Sequence, residues 1–323
     1  MLFLNKEDLA QMDQHRIQNA VLTAYELMNS KKFNMPDRIH VQDKENTLLL
    51  MPCFGEQYFA TKLVSVFPNA AQKGLPVVNG LMTLADNGSG IPLAVMDGAA
   101  VTAERTGAVG GLGVRLLTDP QIKTAGIFGA GVQGFSQVRY LMLNRDIQTL
   151  LICDINTEAA QTMADNLSAT FKDVDVKVVK QPDDLVELSE LVIAATTSPQ
   201  PLFSDDHDLV KGKTFISIGS FRPEMKEFPD AVITCADKVF VDTLFAAKES
   251  GDICQPLEKK IKTIEDILPF AGLVGAGRSR ENTRGNDQTL FFKSVGMALF
   301  DLTVASAIYN LALETKTGTA LDF

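Results

Sequence analysis

Apolar positions recur with a helical period near the start of the chain and with a strand period soon afterwards. Apolar side chains three and four positions apart between residues 13 and 30 predict an amphipathic helix. Short apolar runs bounded by turn residues then predict strands at Thr47–Met51, Thr61–Phe67, Pro76–Leu84 and Ile91–Met96. The turn at residues 86–90 joins the last two runs, which predicts a hairpin and an antiparallel α+β opening.

The pattern changes near Asp119-Pro120, where strand-like and helix-like segments begin to alternate. Strands are predicted at Lys123–Gly129, Thr149–Cys153, Val174–Val179, Leu191–Ala195, Thr214–Ile218 and Lys238–Val241. Helices are predicted at Val132–Leu143 and Thr157–Phe171. Strands that alternate with helices need crossover connections, so this region predicts a parallel sheet of the α/β class.

The last part of the chain follows neither pattern. Gly272–Asn286 is rich in Gly, Arg and Asn and predicts a loop, Thr289–Val295 predicts a strand, and a long helix is predicted from about Met297 to Leu313. A chain of 323 residues is long enough for two domains. We therefore predict one domain at residues 119–295, inserted in a second domain formed by residues 1–118 and 296–323.

Composition and charge narrow the range of partners. The chain is 46% hydrophobic and 22% charged, as in a folded globular protein, and its net charge of -10 argues against nucleic acid or an anionic membrane. A small anionic substrate stays possible, because a local cluster of Arg and Lys can bind a carboxylate. We expect no metal site, since neither the four cysteines nor the three histidines show metal-ligand spacing. With no apolar run that could cross a bilayer, a reducing cytoplasm is expected.

A glycine-rich turn marks the first strand of the alternating region. Gly129, Gly131 and Gly134 form a G-x-G-x-x-G sequence, with Val132 and Gln133 between the last two glycines. The first glycine suits the tight turn, the second lets backbone N–H groups approach a pyrophosphate, and the third lets the helix pack on the strand. The flanking strand and helix make this a predicted dinucleotide site.

Two further residues extend this prediction. Asp154 ends the second strand, where an acid accepts hydrogen bonds from ribose hydroxyls and repels a 2′-phosphate. This favours NAD(H), with NADP(H) still possible; alternatively, Asp154 only caps the next helix. Thr196 follows the fourth strand, where ligands of such sheets bind, although an ordinary polar turn explains it equally well.

Two basic residues are candidates for the substrate side. Lys62 interrupts an apolar strand face, which is costly unless the ammonium pairs, so it could bind an anion or donate a proton. A lysine at a sheet edge is the alternative. The sequence context of Arg105 predicts a position near a helix N-terminus, where the arginine and the helix end could share an anion. The alternative is a solvated surface arginine.

At this point the sequence resembles the ornithine cyclodeaminase and mu-crystallin family, which also contains ketimine reductases and alanine dehydrogenases. The block from Gly90 to Gly98, reading GIPLAVMDG, and Arg105-Thr106-Gly107-Ala108 carry the resemblance most specifically. Met51-Pro52, Lys62, Gly74-Leu75-Pro76, the loop Gly129–Gly134 and Ser294-Val295-Gly296 also match.

The resemblance implies a Rossmann domain inserted in an α+β domain that binds substrate and forms a homodimer. It implies that Arg38, Lys62 and Arg105 surround a substrate carboxylate. We expect Lys62 also to be catalytic, by keeping an imine nitrogen protonated. It places the nicotinamide ring near Ser294 and Val295. The function expected first is reduction of a small, cyclic imine carboxylate such as 1-pyrroline-2-carboxylate, or an amino-acid dehydrogenase reaction.

Two departures separate this chain from the cyclodeaminases of the family. Their glutamate before the Met-Pro pair is replaced by Leu49, and the position of their catalytic aspartate is taken by Phe221 or, with a shift of one residue, Ser220. Because neither is an acid, ornithine cyclodeamination is the second hypothesis. A non-catalytic protein that binds a dinucleotide or another ligand is the third.

Overall fold

The computed structural model describes residues 1–274 and 287–322. The chain divides into two compact units. Unit 1 consists of Met1–Arg105 with Met297–Phe323, and unit 2 is Thr106–Gly296. The division falls inside one helix, Gly98–Leu117, whereas the sequence placed a boundary at residue 118. Which unit binds substrate and which forms the dimer remain predictions.

The bounds of the described elements are as follows. The strands are β1 (Leu2–Leu4), β2 (Ile39–Asp43), β3 (Asn46–Phe54), β4 (Tyr58–Val66), β5 (Val78–Asp86), β6 (Pro92–Asp97), β7 (Thr124–Phe128), β8 (Thr149–Cys153), β9 (Asp175–Val178), β10 (Leu191–Ala194), β11 (Thr214–Ser217), β12 (Lys238–Val241), β13 (Ile267–Pro269), β14 (Leu290–Lys293) and β15 (Thr319–Ala320). The helices are α1 (Lys6–Ala10), α2 (Gln14–Ser30), α3 (Gly98–Leu117), α4 (Val132–Asn144), α5 (Thr157–Thr170), α6 (Pro182–Leu188), α7 (His207–Val210), α8 (Asp230–Cys235), α9 (Ala246–Glu249), α10 (Gly251–Glu258), α11 (Ala271–Val274) and α12 (Ala298–Thr315).

Unit 1 is built on a sheet in the order β15-β1-β6-β5-β4-β3-β2. The neighbours from β2 to β6 are antiparallel, as the hydrophobic alternation predicted, and β1 runs parallel to β6. α12 packs against α2 and against the middle strands of this sheet. α2 begins where Asp13 accepts a hydrogen bond from the His15 N–H, and it buries Ile17, Val21 and Tyr25.

One buried row crosses the inner face of this sheet. Met51, Lys62, Met82 and Met96 are register partners on β3, β4, β5 and β6, and all four are buried. A lysine therefore stands in a row of thioethers, in surroundings that provide little solvation for a charge. This row brings the predicted lysine to the face on which α12 packs.

Unit 2 contains a parallel sheet in the order β13-β12-β14-β11-β10-β7-β8-β9. Chain order reverses between β7 and β10, which creates the crevice where ligands of doubly wound sheets bind. The predicted α/β class is confirmed. β14, the last strand of the unit, inserts between β11 and β12, which alternation of strands and helices alone did not indicate.

Helix α4 lies unusually close to α3 within unit 2. A Cβ atom on Gly107 would lie 2.3 Å from the Ser136 Oγ, and one on Gly110 would lie 1.7 Å from the Gln137 Oε1. The glycines therefore allow a contact that alanine would prevent. The predicted loop Gly272–Asn286 lies mostly outside the described residues: α11 occupies its start, and residues 275–286 are not described.

Candidate active site

Lys62 and Arg105 share one buried carboxylate in unit 1. The Lys62 Nζ lies 3.0 Å from Oδ1 and 2.9 Å from Oδ2 of Asp301, and the Arg105 Nε donates to Oδ1 at 3.1 Å. Lys62 is 2% exposed, Arg105 7% and Asp301 0%. These three residues, called the Lys62 group below, combine two cations with one anion, so they carry an excess positive charge.

Burial changes the proton affinity of the lysine. The pKa of Lys62 is lowered to about 8, mainly because burial disfavours the ammonium. Asp301 opposes this shift, while the positive charges of Arg105 and Arg38 add to it. A lysine with this pKa can both hold a charge and give up a proton near neutral pH. The half-buried Arg38 directly precedes β2, and its charge acts on the same ammonium.

The placement of Arg105 near a helix N-terminus is wrong. α3 begins at Gly98, where Asp97 accepts a hydrogen bond from the Ala100 N–H at 2.9 Å, so Arg105 lies about two turns inside the helix. Its Nε donates to Asp301, the carboxylate that it shares with Lys62, and the side chain does not lie at the helix end. The surface alternative is also wrong, because the side chain is buried.

Asp301 is the member of the Lys62 group that the sequence analysis did not single out. It stands in the first turn of α12, where an acid is ordinarily favoured by the helix dipole and attracts no notice. The signal was its surroundings, since the turns around it are otherwise almost wholly apolar and buried. A lone acid on such a helix face needs a cationic partner, and the interrupted strand face at Lys62 supplies one.

The glycine-rich turn of unit 2 has the shape that a dinucleotide needs. Gly129 has φ +101°, and a Cβ there would lie 2.6 Å from the Ala195 carbonyl oxygen. A Cβ on Gly134 would lie 1.9 Å from the Gly129 oxygen, so helix and strand meet closely. Open space surrounds the Cβ position of Gly131, the N-cap residue of α4, which provides no side-chain cap hydrogen bond. The exposed Val132 starts this helix.

An unpartnered polar atom adjoins this turn. The Gln133 Oε1 is buried and has no hydrogen-bond partner among the described residues. Together with the uncapped helix start and the open space at Gly131, it leaves capacity for a ligand with phosphate and hydroxyl groups. The residues present therefore fit a dinucleotide.

Asp154 does not cap the next helix. Its Oδ2 accepts from the Ala130 N–H at 2.7 Å and its Oδ1 from the Asn156 N–H at 2.7 Å. The side chain of Asn156 caps α5 instead. Because each carboxylate oxygen has two lone pairs, both can still accept from a ribose hydroxyl. The acid thus fixes the glycine-rich turn while keeping the capacity that was predicted for it.

The other predicted cofactor residues are each held by a buried acid. Thr196 donates to Glu227 through its backbone N–H at 2.6 Å and its hydroxyl at 3.0 Å. Ser294 donates its hydroxyl to Asp242 at 2.7 Å, and Val295 its N–H at 2.9 Å. Burial raises the pKa values of Glu227 and Asp242. Sequence reasoning missed both acids, since neither belongs to a motif.

The described residues form neither a metal-binding cluster nor a membrane-spanning helix. Within residues 1–274 and 287–322, no group of three or more His, Cys, Asp or Glu side chains could hold a metal ion. In the same part of the chain, no helix combines the length and apolar character needed to cross a bilayer.

Comparison with known protein families identifies the family to which this chain belongs. The model of the ornithine cyclodeaminase/mu-crystallin family matches residues 4–316. The chain belongs to this family. Among curated relatives, it is 32% identical over 286 residues to a Delta(1)-pyrroline-2-carboxylate reductase of Bacillus cereus. The matched segment covers 87% of this chain and 86% of that protein. The predicted family is therefore confirmed.

Two solved structures of related proteins match the whole chain. A Delta(1)-pyrroline-2-carboxylate reductase of Thermococcus litoralis, in complex with NADH and L-proline, is 30% identical with a TM-score of 0.92 and covers 99% of this chain and 100% of its own. An archaeal alanine dehydrogenase dimer with bound NAD is 27% identical to this chain, with a TM-score of 0.90. The match covers 100% of this chain and 99% of that chain. The predicted inserted Rossmann fold is thereby confirmed.

The positions where family cyclodeaminases carry acids have other surroundings here. Leu49 lies on β3 with partly exposed apolar neighbours. Ser220 is buried and donates its hydroxyl to the Met225 carbonyl at 2.9 Å, while Phe221 is 43% exposed with the Arg222 guanidinium 5.6 Å from its ring centre. None of these side chains provides a carboxylate, whichever alignment of the loop is taken.

Proposed function

We propose that this protein reduces a small cyclic imine carboxylate, such as 1-pyrroline-2-carboxylate, with NADH. The observation that carries the proposal is the excess positive charge of the Lys62 group, in which Lys62 and Arg105 share the single carboxylate of Asp301. A buried excess charge is costly, and an anionic ligand would offset that cost. The names of the Bacillus and Thermococcus relatives support the same substrate class.

Each basic residue has a proposed role in this reaction. Arg38 and Arg105 bind the substrate carboxylate, Arg105 through the guanidinium nitrogens that do not face Asp301. Lys62 donates a proton toward the imine nitrogen, for which its lowered pKa is suitable. Asp301 holds Lys62 and Arg105 in place. The bound cofactor supplies the hydride for the imine carbon, so one hydride and one proton convert C=N to CH–NH.

We propose NAD(H) as the preferred cofactor. Asp154 disfavours a 2′-phosphate by charge, and its Oδ2 accepts the backbone N–H of Ala130 in the glycine-rich turn. The residues that would hold the dinucleotide are Gly129, Gly131, Val132, Gln133, Gly134, Asp154, Thr196, Ser294 and Val295. The Thermococcus relative was solved with NADH and the archaeal alanine dehydrogenase with NAD, which supports this choice.

The decisive test separates three activities in one preparation. Purified protein with NADH and 1-pyrroline-2-carboxylate should consume NADH, followed by absorbance at 340 nm, and should form proline. Protein with NAD and ornithine should release negligible ammonia. Steady ammonia and proline release above about 1 per second would contradict the proposal and establish cyclodeamination. Binding of NADH with neither reaction would indicate the non-catalytic alternative.

We further propose a homodimer formed through the outer face of the unit 1 sheet. Ile39, Leu50, Leu63 and Leu81 form a cross-strand apolar row on the face opposite Lys62. Ile39 and Leu81 are each 49% exposed, which is unusual for a contiguous apolar row. A second copy would cover it symmetrically, as twofold interfaces do. Leu63→Glu should yield monomers in sedimentation velocity, with Lys6→Glu as the control.

We also propose a cytoplasmic location without nucleic-acid or membrane partners. All four cysteines are free, which is the usual state in a reducing compartment. The net charge of -10 opposes binding to polyanions. A fluorescent fusion that co-fractionates with membranes would contradict this assignment.

A further inference from the structure

A second group of buried charges lies in unit 2, at the ends of the parallel strands. Glu227 is 0% exposed, and Asp252 and Lys293 are also buried. The hydroxyl of Ser217 lies between them, 2.9 Å from the Glu227 Oε2, 2.7 Å from the Asp252 Oδ2 and 2.9 Å from the Lys293 Nζ. We call these four residues the Glu227 group. None of them takes part in the reaction as proposed above.

The carboxylate of Glu227 joins the ends of two neighbouring strands. Its Oε1 accepts the backbone N–H and the hydroxyl of Thr196, which follows β10. Its Oε2 accepts the backbone N–H groups of Gly219 at 2.8 Å and Ser220 at 3.1 Å, which follow β11. One side chain thus fixes the backbone on both sides of the gap between these strands.

Those two strand ends are also in direct contact. A Cβ on Gly219 would lie 1.8 Å from the Thr196 carbonyl oxygen and 2.5 Å from the Glu227 Oε1. The position therefore admits only glycine without a shift of the backbone. Any change in the Glu227 carboxylate will be passed on to both loops, because they are packed without space to absorb it.

The remainder of the group holds Glu227 itself. The Asp252 Oδ1 accepts the backbone N–H groups of Glu227 at 2.9 Å and Phe228 at 3.0 Å. The positive charge of Lys293 lowers the pKa of Glu227, against the larger effect of burial. Four hydrogen bonds, donated by Thr196, Gly219 and Ser220, favour the ionised form in the same direction.

The position of this group in the sheet indicates which part of a ligand it serves. Doubly wound sheets bind a dinucleotide across the switch point, one mononucleotide on each half. The glycine-rich turn after β7 and Asp154 after β8 lie on the adenosine half. β10 and β11 lie on the other side of the switch point, where the nicotinamide half binds.

We propose that Glu227 is a positioning residue for the nicotinamide half of the cofactor. It holds Thr196, Gly219 and Ser220 in the arrangement that this half contacts, without touching the reacting atoms. The inference rests on the proposed use of NAD(H). It predicts that loss of the carboxylate weakens binding of one half of the dinucleotide and leaves binding of the other half unchanged.

The test uses Glu227→Gln and two ligands. The amide nitrogen of glutamine is a donor only, so it cannot accept from the N–H groups that face it. Calorimetry with AMP measures the adenosine mononucleotide half alone, and NADH fluorescence measures the whole cofactor. We expect the Kd for NADH to rise about tenfold or more, as when hydrogen bonds to a charged group are lost, and the Kd for AMP to change less than about twofold.

Two further variants keep the outcome interpretable. Glu224→Gln changes an exposed acid of the same loop and should leave both dissociation constants at the wild-type value. Ser217→Ala removes the hydroxyl between Glu227 and Asp252, and should give the same selective effect at smaller size. It decides the question if Glu227→Gln shows no cooperative thermal transition.

Each result has a single meaning. Selective weakening of NADH supports the inference. Equal weakening of NADH and AMP binding, or no weakening of either, overturns it and leaves Glu227 a general scaffold residue. If the wild-type protein binds neither ligand, the proposed function fails and the inference fails with it. If the wild type consumes NADH while the variants show no selectivity, only the inference fails.

Discussion

The two units each bury a group of charges, and the two groups are composed in opposite ways. The Lys62 group has two cations on one carboxylate, and Arg38 adds a further positive charge nearby. The Glu227 group has two carboxylates and one ammonium, and each carboxylate oxygen accepts at least one hydrogen bond from within unit 2. The Lys62 group carries an excess positive charge, whereas the carboxylates of the Glu227 group receive their hydrogen bonds from residues of unit 2.

This difference separates a group that we propose binds an anionic ligand from a group that positions the backbone. Buried charges are tolerated when partners and hydrogen bonds compensate them. Backbone N–H groups compensate Glu227 and Asp252, so their role is to fix loops. Among the hydrogen bonds of Lys62 and Arg105 in the described residues, Asp301 is the one acceptor, and a substrate anion is the further partner that we propose for them.

The largest effect should come from removing the one anion of the Lys62 group. Asp301→Ala leaves Lys62 and Arg105 buried without their carboxylate, which should lower the free energy of unfolding by about 3–5 kcal/mol. Urea denaturation measures the change. Glu314→Gln is the control on the same helix, because its exposed pair with Arg16 should contribute less than about 1 kcal/mol. Equal losses in the two variants would erase the contrast between buried and exposed pairs.

Arg105→Lys should produce the next largest effect, on activity rather than on folding. Lysine keeps the charge but loses the planar fork, which can face Asp301 and a substrate carboxylate together. We expect a loss of roughly 2–4 kcal/mol of transition-state stabilisation, measured as kcat/KM for the imine. Near-normal kcat/KM in Arg105→Ala would remove this residue from the site, and with it the distinction between the two groups.

The pH dependence of reduction should sharpen the comparison further. With the pKa of Lys62 at about 8, the proton donor is present below this pH, and kcat/KM should fall about tenfold per unit above it. Arg38→Met removes a charge that lowers this pKa and should move the falling limb to higher pH. A limb that stays in place would show that Lys62 is not the donor.

The same shift has a defined sign for stability. Between about pH 8 and the ordinary lysine value of 10.5, the unfolded chain binds a proton at Lys62 and the folded chain does not. The contribution of Lys62 to the free energy of unfolding therefore rises with pH across this window. Denaturation midpoints of the wild type and Lys62→Met, measured across the window, should show the wild type gaining relative to the variant.

The smallest effect is expected on the preference for NADH over NADPH, from a change at Asp154 in unit 2. Asp154→Ser removes a negative charge, and one hydroxyl cannot replace both acceptors for the Ala130 and Asn156 N–H groups. The ratio of kcat/KM for NADH over NADPH should fall about tenfold, as repulsion of a 2′-phosphate is lost. Tighter binding of NADPH than NADH by the wild type would contradict the assignment itself.

The regular parts of the fold were readable from the sequence because they repeat a period. β8 and β12 have the predicted bounds, and α2 and α4 differ from theirs by one residue at an end. β1 and β15 have three and two residues, too few to show alternation, and were not predicted. The start of α3 was misplaced because Gly98 and the small residues after it do not show helical amphipathicity.

The residues of the candidate site likewise include some that the sequence could single out and others that it could not. Lys62 could be singled out because it breaks a strand pattern, and the glycine-rich turn because its spacing is a motif. Asp301 and Glu227 could not, since their partners are distant in sequence: Lys62 lies 239 positions from Asp301, and Thr196 lies 31 from Glu227. Contacts of this range arise from the folded topology, which local periodicity does not encode.

The divided chain path of unit 1 also fixes an order of events during synthesis. Chains leave the ribosome N-terminal end first, and units fold as they become complete. Unit 2 has all its residues once Gly296 has emerged from the ribosome. At that point unit 1 still lacks α12, although its other elements, up to Arg105, were synthesised before unit 2. Until then, Lys62 and Arg105 have no carboxylate, and the sheet face on which α12 packs is bare. Unit 1 is thus completed after unit 2, and a nascent chain stalled before Met297 exposes to chaperones the sheet face that α12 covers in the folded protein.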